Sequence, residues 1–128
     1  MLARYRIIRG KRPPDEPLPD GVRMDTRKHT HHVLAPNAQS VLRFLDDTNE
    51  AAYQRFASEY RALLAQRFEA ERERFDAIAA AARSSDVYIG CNCPTQKNPD
   101  VQHCHTVLAL RFMREKYRDL KVRLPSAG

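Results

Sequence analysis

The sequence lacks the features of a membrane or secreted protein. It contains no Trp, only four Gly and only three Cys in 128 residues. Its longest uninterrupted apolar run, residues 77–82, is far shorter than the roughly 20 residues that a membrane-spanning helix requires. Arg4, Arg6 and Arg9 interrupt the apolar N-terminal stretch, which excludes the core of a signal peptide. We therefore expect a cytoplasmic protein with no membrane partner.

Three cysteines are an odd number, and the chain is long enough to fold without covalent cross-links. In a reducing compartment these residues are therefore free thiols, metal ligands or small core residues. A hydrophobic content of 42% supplies one core and excludes disorder throughout, so we expect a single domain over residues 1–128.

The net charge of +6 is concentrated in the two ends of the chain. Residues 1–33 and 97–128 each carry a net charge of +4, whereas residues 34–96 carry −2. If the ends meet in the fold, they could form a basic face for nucleic acid or another phosphate-bearing partner. The alternative is a solvated surface, which the scarcity of aromatic residues among the basic ones favours.

The apolar spacing predicts strands alternating with helices. Residues 2–9 and 22–26 are predicted strands, residues 86–91 are the predicted central strand, and residues 120–124 are a predicted edge strand. Helices are predicted over residues 37–46, over 50–83 with a break within 69–74, and over 101–118, with Asp47 and Glu50 as a capping box for the second helix. This order predicts an α/β fold with a small, mainly parallel sheet of about four strands flanked by helices, three-layered and Rossmann-like.

All three cysteines and two of the five histidines lie in one segment, residues 91–105, with the sequence CNCPTQKNPDVQHCH. The segment runs from the end of the predicted central strand into the next helix. Because parallel sheets bind ligands beyond the carboxyl ends of their strands, this position favours a binding site. The remaining histidines follow the second predicted strand and are expected at the same edge.

A metal ion is the first chemistry that these side chains support. Thiolate and imidazole are zinc ligands, so the sequence predicts a zinc-type site. The predicted ligands are Cys91, Cys93, His103 and Cys104, with His29, His31 and His32 as further candidates. Inside a helix His103 and His105 lie about 200° apart, so both cannot join Cys104 at one ion unless the helix begins after them.

Two other chemistries remain open. Cys104, near the start of a helix and flanked by imidazoles, could be a reactive thiolate that exchanges a proton with His105 in an enzyme acting on a small anionic or phosphorylated substrate. Cys93 is the alternative nucleophile. An anion site could hold a phosphate with backbone N–H groups at the helix start, together with Asp25, Arg27 and Lys97, with Lys28 as a further source of positive charge. The structural alternative makes Cys104 a core residue.

The order of these motifs resembles domain-of-unknown-function family 488, especially its YeaO-like branch. The residues that carry the resemblance are Asp25 and Arg27 in MDTR, the segment FASEYRALL, the strand VYIGC, and the Cys104–His105 pair. The resemblance spans most of the chain and implies an α/β fold with a rim of candidate residues. It implies no particular reaction.

The sequence departs from that family in two places. The histidine-bearing segment KHTHH replaces the Trp-Pro-Arg-Gly element of the YeaO-like branch, and Thr106 stands where the wider family often has Arg. A weakened anion clamp is therefore expected. Cys93 and His103 are additions to the family pattern, which leads to the hypothesis of a binding or structural domain with a Cys/His metal site.

Overall fold

A computed structural model describes residues 1–126 of the chain. The elements, in chain order, are β1 (Leu2–Arg6), β2 (Val22–Asp25), α1 (Ala38–Asp46), α2 (Glu50–Ala70), α3 (Arg72–Ser84), β3 (Val87–Cys91), a 3-10 turn (Val101–His103) and α4 (His105–Lys116). Within these residues, none of the helices combines the length and the apolar character needed to cross a membrane.

The strands form one parallel sheet in the order β1-β3-β2, with β3 in the centre as predicted. Arg6 pairs with Cys91 on one side of β3, and Asp25 pairs with Gly90 on the other. This register aligns the carboxyl ends of all three strands at one edge. The mixed α/β class with a small parallel sheet is therefore confirmed.

The predicted fourth strand, residues 120–124, is wrong as a strand. Only Val122 pairs with the sheet, through an isolated parallel bridge to Leu2. An alternating pattern shows which side chains face inward, but it does not show how many backbone hydrogen bonds form. Here two hydrogen bonds flank the bridge, from Leu2 N–H to the Lys121 carbonyl and from Arg123 N–H to the Leu2 carbonyl. The bridge brings the two basic ends of the chain together. The Rossmann-like layering and nucleic-acid binding remain predictions.

The helical half is divided where its charged stretch predicts a break, at Glu71 between α2 and α3. The capping box predicted for Asp47 and Glu50 is wrong, because Asn49 lies directly before the helix and its side chain accepts a hydrogen bond from Ala52 N–H at 2.8 Å. The buried face of α2 repeats at helical spacing and packs towards α1 and α4; its members are Tyr53, Phe56, Ala57, Tyr60 and Leu64.

The last helix begins later than its apolar pattern predicts. Asp100 accepts a hydrogen bond from Gln102 N–H at 2.9 Å and starts the 3-10 turn, whereas α4 starts at His105 with Cys104 in the capping position. The first six residues of α4 are all buried, so its N-terminal end is enclosed by the fold. Cys104 therefore lies at the positive end of an internal helix.

We expect Gly21→Ala to destabilise the fold more than Gly10→Ala. Both glycines have positive φ, which costs another residue about 1–2 kcal/mol. At Gly21 an added Cβ would also lie 2.4 Å from the Asp86 carbonyl, which accepts the first hydrogen bond of β2 from Val22, whereas at Gly10 it would meet nothing within 4 Å. Urea unfolding of the two variants measures the difference; equal losses would contradict the placement of this turn.

Candidate metal centre and ligand cavity

Three thiol groups meet where β3 ends. The metal-binding atoms of Cys91, Cys93 and Cys104 all lie within 4.8 Å of one another, and the Cys91 and Cys93 sulfurs are 3.8 Å apart. A tetrahedral zinc ion with Zn–S bonds of about 2.3 Å holds its sulfurs about 3.8 Å apart. The three cysteines are free thiols, two buried and Cys93 half-buried, so the group fits a thiolate-bound metal ion.

The loop that carries Cys93 is fixed by polar side chains from inside the fold. Asn98 is 4% exposed, and its Nδ2 donates to Cys93 Sγ at 3.7 Å and to the His103 carbonyl at 3.4 Å. Arg4, on β1, donates to the Cys93 carbonyl at 2.6 Å. Asn98 therefore braces the loop between β3 and the 3-10 turn.

Cys104 is the thiol with the most hydrogen-bond donors around it. The Thr106 hydroxyl donates to Cys104 Sγ at 3.1 Å, and Arg4 Nε donates to the Thr106 oxygen at 2.8 Å, which directs the single hydroxyl proton towards the sulfur. Arg4 thus places a guanidinium beside Thr106, where the wider family often carries an Arg.

Burial and hydrogen bonding shift the pKa values of the three thiols in different directions. Hydrogen bonding from Cys91 and Cys93 lowers the pKa of Cys104 well below its usual value. Donation to Cys104, together with burial, raises the pKa of Cys93 to about 11 and raises the pKa of Cys91 further. The first thiolate of the group therefore forms on Cys104.

The protonation of His105 follows from its hydrogen-bond chain. The Thr26 hydroxyl donates its only proton to the Gly90 carbonyl at 3.0 Å, so its oxygen must accept from His105 Nε2–H, also at 3.0 Å. The neutral imidazole then has an unprotonated Nδ1, which lies 4.0 Å from Cys104 Sγ. Thr26, which is fully buried, thereby directs Nδ1 of the neutral His105 ring towards Cys104 Sγ.

His103 does not join the thiol group. Its ring stacks on Tyr53 with centroids 4.1 Å apart, and its Nε2 lies 3.8 Å from carboxylates of Glu50 and Asp100. The 3-10 turn directs this side chain towards α2 while Cys104 faces the sheet edge. The structure thus does not place His103 as a fourth ligand.

The three earlier histidines are also separate from the thiol group. His29 is exposed at the mouth of the cavity described below, and His31 is exposed with its carbonyl bound to Arg74. His32 uses both ring nitrogens in the fold, since Nδ1 accepts from Leu34 N–H at 3.0 Å and Nε2 lies 3.4 Å from Met24 Sδ. It is a structural residue.

Asp25, the last residue of β2, forms a two-point ion pair with Arg27. Arg27 Nη2 lies 2.8 Å from Asp25 Oδ2 and Nε lies 3.0 Å from Oδ1, and this contact lowers the pKa of the carboxyl group. Arg27 faces the cavity beside the thiols. Lys97, the other predicted anion-binding residue, is exposed on the loop and does not line the cavity.

The thiols open into a cavity of about 190 Å³. One wall is apolar and comes from α1, α2 and the preceding loop; its members are Pro36, Val41, Phe44, Leu45 and Phe56. The sequence indicated the α1 and α2 residues only as part of a core face. Thr26, Thr106 and Arg4 also escaped sequence reasoning, because contacts between distant segments define their roles.

The family comparison agrees with this architecture. The family model described as the active DUF488-N3 subclade matches residues 4–117, which include the last three residues of β1, all of β2 and β3, α1 to α4 and the thiol group. The chain therefore belongs to domain-of-unknown-function family 488, as its motifs predicted. No curated protein and no solved structure gave a match.

We expect His32 to make the folded state less stable in mild acid. Burial lowers its pKa from 6.5 to about 4, so between these values the unfolded chain binds the extra proton and stability falls as the pH falls from 6.5 to 4. His32→Asn, which keeps an acceptor for Leu34 N–H but does not titrate there, should flatten this dependence. Urea midpoints across the range measure it, and parallel profiles would contradict the assignment.

Proposed function

We propose that Cys91, Cys93 and Cys104 form a thiolate centre for a zinc-class metal ion whose fourth position opens into the cavity. The observation that carries the proposal is the convergence of three free thiols within 4.8 Å at one end of a ligand-sized cavity. Sulfur donors favour soft or borderline metals over magnesium or calcium.

Three protein ligands favour a catalytic type of metal centre over a structural one. Structural zinc sites close the tetrahedron with four protein ligands, whereas catalytic sites use three and leave one position for water or substrate. A bound zinc ion would act as a Lewis acid on a group in the cavity. The protein holds the ligands from behind, through Thr106 at Cys104 and Asn98 at Cys93.

Untagged protein purified under reducing conditions should bind about one equivalent of zinc. Replacing Cys91, Cys93 or Cys104 with Ser should weaken binding at least tenfold, because each change removes one of three thiolate ligands. Metal analysis after dialysis gives the stoichiometry, and cobalt(II) substitution gives the thiolate charge-transfer absorption of the centre.

His103→Ala is the matched control, since His103 lies next to Cys104 in sequence but stacks on Tyr53. It should retain metal binding. Fewer than about 0.2 equivalents in the unmodified protein, against the full occupancy of a tight site, would overturn the proposal.

A second candidate function is metal-free thiol chemistry. It is supported by the Thr26–His105–Cys104 arrangement, in which the proton on Cys104 Sγ passes to His105 Nδ1 and leaves a thiolate facing the cavity. The matched family model is described as that of an active subclade, which favours a reaction over a purely structural role. The thiolate would then displace a leaving group from an electrophilic atom of a small substrate, so that a bond to sulfur replaces the bond to that group, and protonated His105 would return its proton to the departing group.

Thr26→Val should slow the alkylation of Cys104 by iodoacetamide at pH 7 at least threefold in metal-free protein. The change removes the acceptor that fixes the His105 tautomer, while Thr26 N–H still bonds to the Gly90 carbonyl. Thr26→Ser, which keeps the hydroxyl, should restore the rate. Mass spectrometry of the Cys104 peptide measures it; equal rates in all three proteins would eliminate this candidate.

A further inference from the structure

The cavity beside the thiols has two chemically different sides. Its wall on α1 and α2 is apolar, whereas its mouth carries Arg27, Lys28 and His29. Within residues 1–126, no Asp or Glu lines the cavity. A neutral polar ligand would leave the cations unused, and a cationic ligand would be repelled by them.

The positively charged side chains at the mouth can still bind a ligand. Arg27 holds Asp25 through Nε and Nη2, and its Nη1 makes no hydrogen bond to any residue from 1 to 126. The ion pair fixes the guanidinium plane, so Nη1 is presented in a defined direction with two N–H donors. Lys28 is exposed and adds a second positive charge beside it.

The apolar wall is pre-formed by packed side chains. Phe44 and Phe56 stack with centroids 5.6 Å apart and an interplanar angle of 21°, and both are buried. Val41 and Leu45 extend this surface by one helical turn of α1. The cavity of about 190 Å³ lies below the range of about 300–1,000 Å³ that is usual for drug-sized ligands. It suits a molecule built on one ring.

We propose that the cavity binds a small aromatic anion, with its ring against the Phe44–Phe56 wall and its negative group at Arg27 and Lys28. This inference goes beyond the metal centre, because neither contact requires a metal ion. Contacts at the ring and at the charged group together orient the ligand, so that one edge of its ring faces the thiols.

The probes are benzoate, benzyl alcohol as its uncharged counterpart, and acetate as the anion without a ring. Titration of metal-free, reduced protein by calorimetry or by amide NMR shifts should show benzoate binding at least tenfold tighter than either of the others. Failure of benzoate to bind at millimolar concentration, or equal binding of benzoate and benzyl alcohol, would overturn the inference.

Two variants test the role of the guanidinium without leaving a carboxylate unpaired. Asp25→Asn should keep or strengthen benzoate binding, because it removes the acid that competes for Arg27. The double change Asp25→Asn with Arg27→Gln should weaken it at least tenfold and leave benzyl alcohol unaffected. Equal benzoate binding by the two variants would contradict the assignment.

Lys97→Gln is the charge-matched control for Lys28→Gln, because Lys97 lies outside the cavity. Only Lys28→Gln should weaken benzoate binding, and equal effects of the two would point to net charge alone and overturn the assignment to the mouth. Measuring zinc uptake and benzoate binding on the same protein separates the two proposals. Benzoate binding by protein that takes up no zinc supports the cavity ligand and rejects the metal centre.

Discussion

The whole site depends on parallel pairing along both sides of β3. This register places Asp25 opposite Gly90 and Arg6 opposite Cys91, so residues far apart in sequence reach the same sheet edge. The Gly90 carbonyl accepts from both the backbone N–H and the hydroxyl of Thr26. Through Thr26 the sheet edge fixes His105, and thereby the side of the imidazole that faces Cys104.

The core does not depend on a bound ion. A protonated cysteine behaves as a small apolar residue, so the thiol group can be buried without a metal at little cost. The main hydrophobic cluster, which includes Phe75, Leu64 and Leu110, contains none of the three cysteines. In this respect the site differs from zinc fingers, in which metal binding supplies the folding free energy. The fold is therefore compatible with reversible binding of a metal ion by the three cysteines, which agrees with a catalytic type of centre.

The sequence predicted the elements and the edge better than the individual contacts. Periodicity located β3 and the break at Glu71, because both follow from local apolar and charge patterns. It could not separate His103 from Cys104, since their directions depend on a 3-10 turn that has no strong sequence signal. Thr26 and Arg4 were missed for another reason: each acts on a residue 79 or more positions away, and only the assembled sheet shows the contact.

The charges of the cavity determine how an anion would be oriented within it. In either proposal the thiol end would be negative, as the Cys104 thiolate or as three thiolates around a divalent ion, whose formal charges sum to −1. Positive charge lies at the mouth on Arg27 and Lys28. An anionic group is therefore repelled from the sulfurs and attracted to the mouth, so the uncharged part of the ligand lies deeper. The reacting atom of a substrate would then belong to the apolar end, next to the sulfurs, and the negative group would serve for binding and orientation.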